Sequence, residues 1–175
     1  DIVFNSYQTY AVTASAVTEI EDITGKGIDL KNPPAETTVY KAGDGTVTVI
    51  PASDGGAITV ILENAAFDGA HNMLTANDIS DTDIVLKGSN TVKNGYYVVN
   101  GWNEQTKNIT FSGDGTLTVS DTERFGRPSY AGVLTFDGVR INGTFVPKTD
   151  NSTTLEVGNG IRFINGSKAS FKLAY

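Results

Sequence analysis

One short string recurs along this chain at almost constant spacing, and a recurring unit of this length dictates the architecture before any single residue does. Five segments carry it: Ile58-Thr-Val-Ile-Leu-Glu-Asn64, Asp83-Ile-Val-Leu-Lys-Gly88, Asn108-Ile-Thr-Phe-Ser-Gly113, Val133-Leu-Thr-Phe-Asp-Gly138 and Thr154-Leu-Glu-Val-Gly-Asn159. Each holds two apolar residues two apart, one further residue, then Gly or Asn. The closing positions 64, 88, 113, 138 and 159 step by 24, 25, 25 and 21 residues. Upstream, Gly43-Asp-Gly-Thr-Val-Thr-Val49 nearly copies Gly113-Asp-Gly-Thr-Leu-Thr-Val119 and adds one more repeat.

Alternation with a period of two means a strand with one buried face. It predicts one inward stack of Val60, Ile84, Ile109, Leu134 and Leu155, and a second of Leu62, Leu86, Phe111, Phe136 and Val157. The closing Gly or Asn takes the left-handed backbone of a sharp corner at least cost. Short second strands follow at Thr91-Val92, Thr116–Val119, Arg140-Ile141 and Arg162-Phe163. A unit of strand, corner, strand and return loop cannot bury its apolar residues alone and does so by stacking on its neighbours. The expected fold is therefore all-β: a right-handed parallel β-helix (a solenoid) of about six coils, right-handed by the rule for parallel crossovers. The competing sandwich of hairpins would need turns every 8–12 residues, which the 24–25-residue step does not supply.

Residues 1–36 stand outside the repeat, so the chain divides into 1–36, an N-terminal cap or arm, and 37–175, the β-helix. Val3, Tyr7, Tyr10, Ala14 and Val17 would share a helix face, while Ile2, Phe4, Tyr10, Val12, Ala14, Ala16 and Ile20 would share a strand face. Periodicity leaves both open. A solenoid end needs cover, since its last coil exposes strand edges and apolar stacks. The segment either caps its own chain or, through residues 1–20, joins a neighbouring subunit in a filament.

The strings Ala57-Ile-Thr-Val-Ile-Leu-Glu-Asn-Ala-Ala-Phe67, Asp83–Val92 and Asn108–Val119 resemble bacterial secreted and surface carbohydrate-binding parallel β-helix proteins, of the type that binds polygalacturonate or cellulose. The resemblance covers about residues 37–163 and concerns scaffold strings, which adhesins and phage tail proteins share. It implies an extracellular or cell-surface location, non-catalytic polysaccharide binding and calcium as a candidate ion. No ligand residue carries over from it, because the matching positions are core and corner positions.

Charge and composition limit the partners. A net charge of −7 opposes nucleic acid as a partner. No apolar run reaches the roughly 20 residues of a spanning helix, so no membrane insertion is expected. There is no cysteine and a single histidine, which removes thiolate chemistry and His-rich metal sites. His71 reads as a polar surface residue. No nucleophile or phosphate-loop motif is present, and Gly43-Asp-Gly45 and Gly113-Asp-Gly115 are turns. The only acidic pair the repeat sets side by side is Asp137 with Glu156, about 5 Å apart on adjacent coils. A glycosidase needs two convergent carboxylates, and this pair reads more simply as a solvated face, so the chain is not read as an enzyme.

The return loops 68–82, 94–107 and 121–130 are the candidate binding face, because solenoid insertions gather on one side. Trp102, Tyr97, Arg124, Arg127 and Tyr130 are the candidate sugar-binding residues: aromatic faces stack on sugar rings, and arginine satisfies hydroxyls or carboxylates. The bland alternative places one of Tyr96 and Tyr97 in the core and lets the arginines pair with Glu104, Asp121 or Glu123. Asp78, Asp81 and Asp83 gather three carboxylates in one turn, a possible start for a calcium shell of six to eight oxygens. The functional expectation is a polysaccharide-binding module. The alternative is a structural protein: a filament subunit, adhesin shaft or tail-spike segment.

Overall fold

A computed structural model describes residues 19–76, 79–101, 107–129, 132–147 and 155–174. Its described residues form strands, turns and connecting segments without a helix. The chain winds through three parallel sheets, once per coil. The first coil contains β4 (Ile58–Glu63), β5 (Ala66–Asp68) and β6 (Asn72–Thr75). The second contains β7 (Thr82–Lys87), β8 (Ser89–Lys93) and β9 (Tyr97–Asn100). The third contains β10 (Ile109–Gly113), β11 (Thr116–Thr122) and β12 (Arg124–Ser129), and the fourth β13 (Leu134–Asp137), β14 (Arg140–Phe145) and β15 (Leu155–Val157). Two further strands, β16 (Ile161–Ile164) and β17 (Lys168–Leu173), begin another turn. Sheet I runs β4-β7-β10-β13-β16, sheet II β5-β8-β11-β14-β17 and sheet III β6-β9-β12-β15, with every neighbour in these runs parallel. This is a β-solenoid of about four turns.

The expected count of six coils fails at both ends, for different reasons. The upstream string is no coil: β2 (Thr38–Ala42) and β3 (Gly45–Ile50) form an antiparallel hairpin, and β3 lies antiparallel to β4. Gly43, at φ 64°, and Asp44 make its two-residue turn, a loop type that suits Gly at its first position. The Thr154–Asn159 string is no first strand either. Leu155–Val157 belongs to sheet III, paired with β12, and Ile161–Ile164 takes the vacant place in sheet I.

The inward stacks also differ from the expected register. Val60 lies beside Ile84, but Ile84 lies beside Phe111, and the column continues through Phe136 to Phe163. Leu86 faces Gly113 rather than Phe111. The slip is two residues, so every side chain keeps its face, and a hydrophobic pattern cannot detect it. The larger residues stack: Phe111 and Phe136 sit 5.6 Å apart, Phe136 and Phe163 5.0 Å, and Phe125 and Phe171 5.1 Å.

The corners behave as the repeat predicted. Asn64, Gly88, Gly113 and Gly138 all have positive φ, and the fifth corner is Asn165 rather than Asn159, at φ 53°. A second corner series, Gly69, Asn94 and Asp121, turns the chain from sheet II to sheet III. Buried Asn90 ties three coils together at the first corner. Its Oδ1 accepts from the Ala65 N–H at 2.8 Å, and its Nδ2 donates to the Lys87 and Thr116 carbonyls, each at 3.2 Å.

Ahead of the first coil, β1 (Ile28–Asp29) pairs with β6, and the β2–β3 hairpin lies on β4. Ile23, Ile28, Leu30, Val47 and Val49 are buried in the same core as the coils. Replacing Asn90 with Ala leaves a buried N–H and two carbonyls without this partner, at about 1–3 kcal/mol for each group that finds no substitute. Chemical denaturation of Asn90→Ala should give a stability loss of about 3 kcal/mol.

Candidate functional site

Of the five residues expected to bind sugar, Trp102 and Tyr130 lie outside the described residues, and Arg127 is placed only through its backbone in β12. Tyr97 is not a surface platform: it is 6% exposed. In β9 the run Tyr97-Val98-Val99 is buried throughout, the signature of a strand covered on both faces. Arg124 does join Tyr97, in a cluster at the second corner that includes residues not singled out for binding. The His71 ring lies parallel to Tyr96 at 5.0 Å, and Tyr96 meets Tyr97 edge-on at 4.4 Å. The Arg124 guanidinium sits 5.6 Å from the centre of Tyr96 and 5.9 Å from that of Tyr97. Its Nε is 3.4 Å from Oε1 of buried Glu123.

Backbone bonds position this cluster. The Tyr96 and Tyr97 amides both donate to the His71 carbonyl, the Glu123 amide to Gly95, and the Arg124 amide to Tyr96. His71, Tyr96 and Arg124 therefore come from three successive coils. Tyr96 has the imidazole stacked against it and the guanidinium over its ring, so its faces are engaged within the protein. Such ring and cation–π contacts hold coil to coil. The alternative that one of the two tyrosines belongs to the core fits Tyr97, and the pairing of Arg124 with Glu123 fits the bland expectation for that arginine.

The acidic turn is divided between two tasks. Asp81 accepts from the Asn108 backbone N–H at 3.0 Å through one oxygen and from Asn108 Nδ2 at 3.1 Å through the other. Asn108 in turn accepts from the Val133 N–H at 2.9 Å. This ladder joins three coils. Asp83 stands on the outer face of sheet I between Thr59 and Thr110. Asp78 lies outside the described residues. Among the described residues no group of three His, Asp or Glu side chains is placed to hold a metal ion. The expected acidic pair does not form: Asp137 is in sheet I, where it accepts from Asn165 at 2.6 Å, and Glu156 is in sheet III.

Two surfaces remain that lie outside the candidate binding and metal residues named from the sequence. One is the outer face of sheet II. Thr91, Thr118, Asn142 and Ser170 stand in register across its strands, beside a second row of Ser89, Thr116, Arg140 and Lys168. A shallow depression on the side of the first row away from the second is lined by Thr118, Asn142, Gly143, Thr144, Ser170 and Lys172. The other surface is the last coil. Ile161 and Phe163 continue the inward column of Leu134 and Phe136, and Leu173 continues that of Phe145. Yet they are 39%, 53% and 47% exposed, whereas Leu134, Phe136 and Phe145 are fully buried. The strands β15, β16 and β17 are the terminal members of their three sheets.

Burial first, and then the neighbouring Asp81 charge, raise the Asp83 carboxyl above its usual range, against the lowering effect of a hydrogen bond from Thr110. A raised carboxyl disfavours the ionised folded state, so the penalty is present at neutral pH and disappears as pH falls through the folded pKa. Asp83→Asn should therefore raise the melting temperature at pH 7, and the gain should shrink to nothing near pH 3. Thermal melts across that range check it.

Among the described residues no helix is long and apolar enough to cross a membrane. No family model matches the chain, and neither the curated proteins nor the solved structures include a significant match.

Proposed function

We propose that this chain is a non-catalytic structural subunit that associates end to end, stacking its solenoid on a second copy at the open last coil. The observation that carries the reading is the exposure of Ile161, Phe163 and Leu173. These three side chains occupy positions that are buried in the preceding coil. A layer of this kind is stabilised only by another layer, and three strand edges at one end that pair with no other described strand form a template for more backbone pairing. In this reading the coils wind right-handed, residues 19–50 cap the opposite end, and the rod acts outside the cell as a filament or shaft. Phe163→Lys places a charge where the next layer would sit. Light scattering and electron microscopy should find rods or multimers of the full chain and monomers of Phe163→Lys. A monomeric wild-type chain at all concentrations would refute the reading.

A second reading, polysaccharide binding, is favoured by the outer face of sheet II. Hydroxyl and amide side chains in register at the roughly 4.8 Å spacing of neighbouring strands, flanked by Arg140 and Lys168, suit a chain of sugars carrying carboxylates. Arg140→Ala combined with Lys168→Ala should weaken binding of a soluble polyuronate at least tenfold. Titration with and without calcium tests this and reveals whether an ion bridges the ligand. Equal affinity in the variant would exclude this face.

A further inference from the structure

We infer that the element closing the last coil is a strand donated by a second copy, residues 2–18 of that copy, laid along β16 and β17. The inference deepens the end-to-end reading and rests on it.

The surface to be covered is apolar and narrow. Ile161, Phe163, Ala169, Phe171 and Leu173 form its floor, all of them continuing buried columns of the preceding coil. The edges of β16 and β17 supply backbone donors and acceptors for one more strand. β-strand addition uses those edge groups for affinity and the alternating side chains for fit.

Residues 2–18 have the composition of such a strand. The run contains no Asp, Glu, Lys or Arg, and no Gly or Pro. At the chain's average charge content of 19%, about three charges would fall in a run of that length. β-branched and aromatic residues, which favour strands, are frequent in it. From Thr9 to Ala16 the sequence alternates except at Ala11: in a strand Tyr10, Val12, Ala14 and Ala16 would share one face, and Thr9, Ala11, Thr13 and Ser15 the other. One face suits the apolar floor and the other is small and mostly hydroxylic.

The point of attachment favours a second copy over the chain's own end. Residue 19 lies beside β2, among Thr37, Thr38, Val39 and Tyr40, and β2 is the terminal strand of sheet I opposite β16. Reaching its own last coil would take the segment across six strand spacings from β2 to β16, about 29 Å, and use about nine residues before any pairing. In an end-to-end stack the same segment starts next to its target.

Charge agrees with that polarity. Residues 160–174 carry Arg162, Lys168 and Lys172 and no carboxylate. Residues 19–50 carry six carboxylates against three lysines, and Glu19, Glu21 and Asp22 directly follow the uncharged run. Head-to-tail stacking brings these opposite charges together, and such complementarity speeds encounter and sets orientation.

Because the chain has no cysteine, introduced thiols report on contact without interference. Full-length Phe4→Cys, Tyr10→Cys and Ala16→Cys chains are each mixed with full-length Leu173→Cys under oxidation. The expected result is a mixed disulfide that exceeds either homodimer at least tenfold for at least one of the three positions. A double variant carrying that pair should give a ladder of covalent multimers. A closed monomer from the double variant would overturn the proposal in favour of the segment covering its own chain. Leu173→Cys homodimers without mixed product would overturn it in favour of tail-to-tail contact. Val12→Asp puts a charge on the apolar face of the strand and should abolish the multimers. If Val12→Asp assembles while Phe163→Lys does not, the donated strand is refuted and end-to-end stacking stands. If the wild-type chain never assembles, both fall.

Discussion

The contact of one coil's inward side chains with those of the next is the interaction on which everything else in this protein depends. No coil can bury Val60, Ile84, Phe111 or Phe136 within itself, because each contributes only a thin layer of side chains in each column. Burial comes from the layer above and the layer below, and with it the hydrophobic stabilisation of roughly 1.5–3 kcal/mol for each large side chain taken out of water. The aromatic column Phe111, Phe136 and Phe163, with Phe125 and Phe171 beside it, shows the consequence. Its interior members are shielded and its last member is not. A structure that obtains its core by addition of layers has an end problem that no internal refinement removes.

The polar groups follow the same logic in a second direction. At each corner the backbone leaves its sheet and loses regular ladder partners, and side chains from adjacent coils supply replacements. Asn90 bridges Ala65, Lys87 and Thr116; Asn64 accepts from Ser89; Asn94 donates to Asp68; Asp81 and Asn108 pass the pattern on to Val133. Apart from the Asn90–Lys87 bond, which lies within one coil, these bonds join residues about one coil apart, so they act between layers, as the apolar columns do. The His71–Tyr96–Arg124 series is the same device built from rings and a cation. Residues that look in isolation like binding chemistry are engaged in joining coils.

The repeat and its corner residues were legible because they express local backbone needs: alternation for a half-buried strand, and Gly or Asn where φ is positive. The register was not legible. Pairing Ile84 with Phe111 or with Ile109 leaves the same faces buried, and only the lengths of the return loops separate the two. The site was less legible still. Tyr96 and Tyr97 are adjacent and chemically equal, and their different burial follows from what packs on each face of sheet III. The exposed last coil was foreseen in general terms as a solenoid end needing cover. Its members were misassigned, because Thr154–Asn159 imitates a first strand and Arg162-Phe163 a second.

The sequence by itself determined that the chain would be all-β, parallel and layered, with corners at Asn64, Gly88, Gly113 and Gly138, since periodicity and left-handed backbone are properties of a few neighbouring residues. Only the tertiary structure decided what a given string becomes. Gly43-Asp-Gly-Thr-Val-Thr-Val49 and Gly113-Asp-Gly-Thr-Leu-Thr-Val119 are nearly the same peptide, yet the first turns an antiparallel hairpin and the second turns a coil from sheet I into sheet II. Both have a glycine at positive φ and both bury alternate residues. The difference lies in what precedes them: β10 enters its corner parallel to β7, with the Leu86 carbonyl packed where a side chain at position 113 would point. β2 is the terminal strand of its sheet, beside residues 21–23, and the returning strand is free to pair back upon it. A turn specifies that the chain changes direction; the neighbours available for pairing decide where it goes.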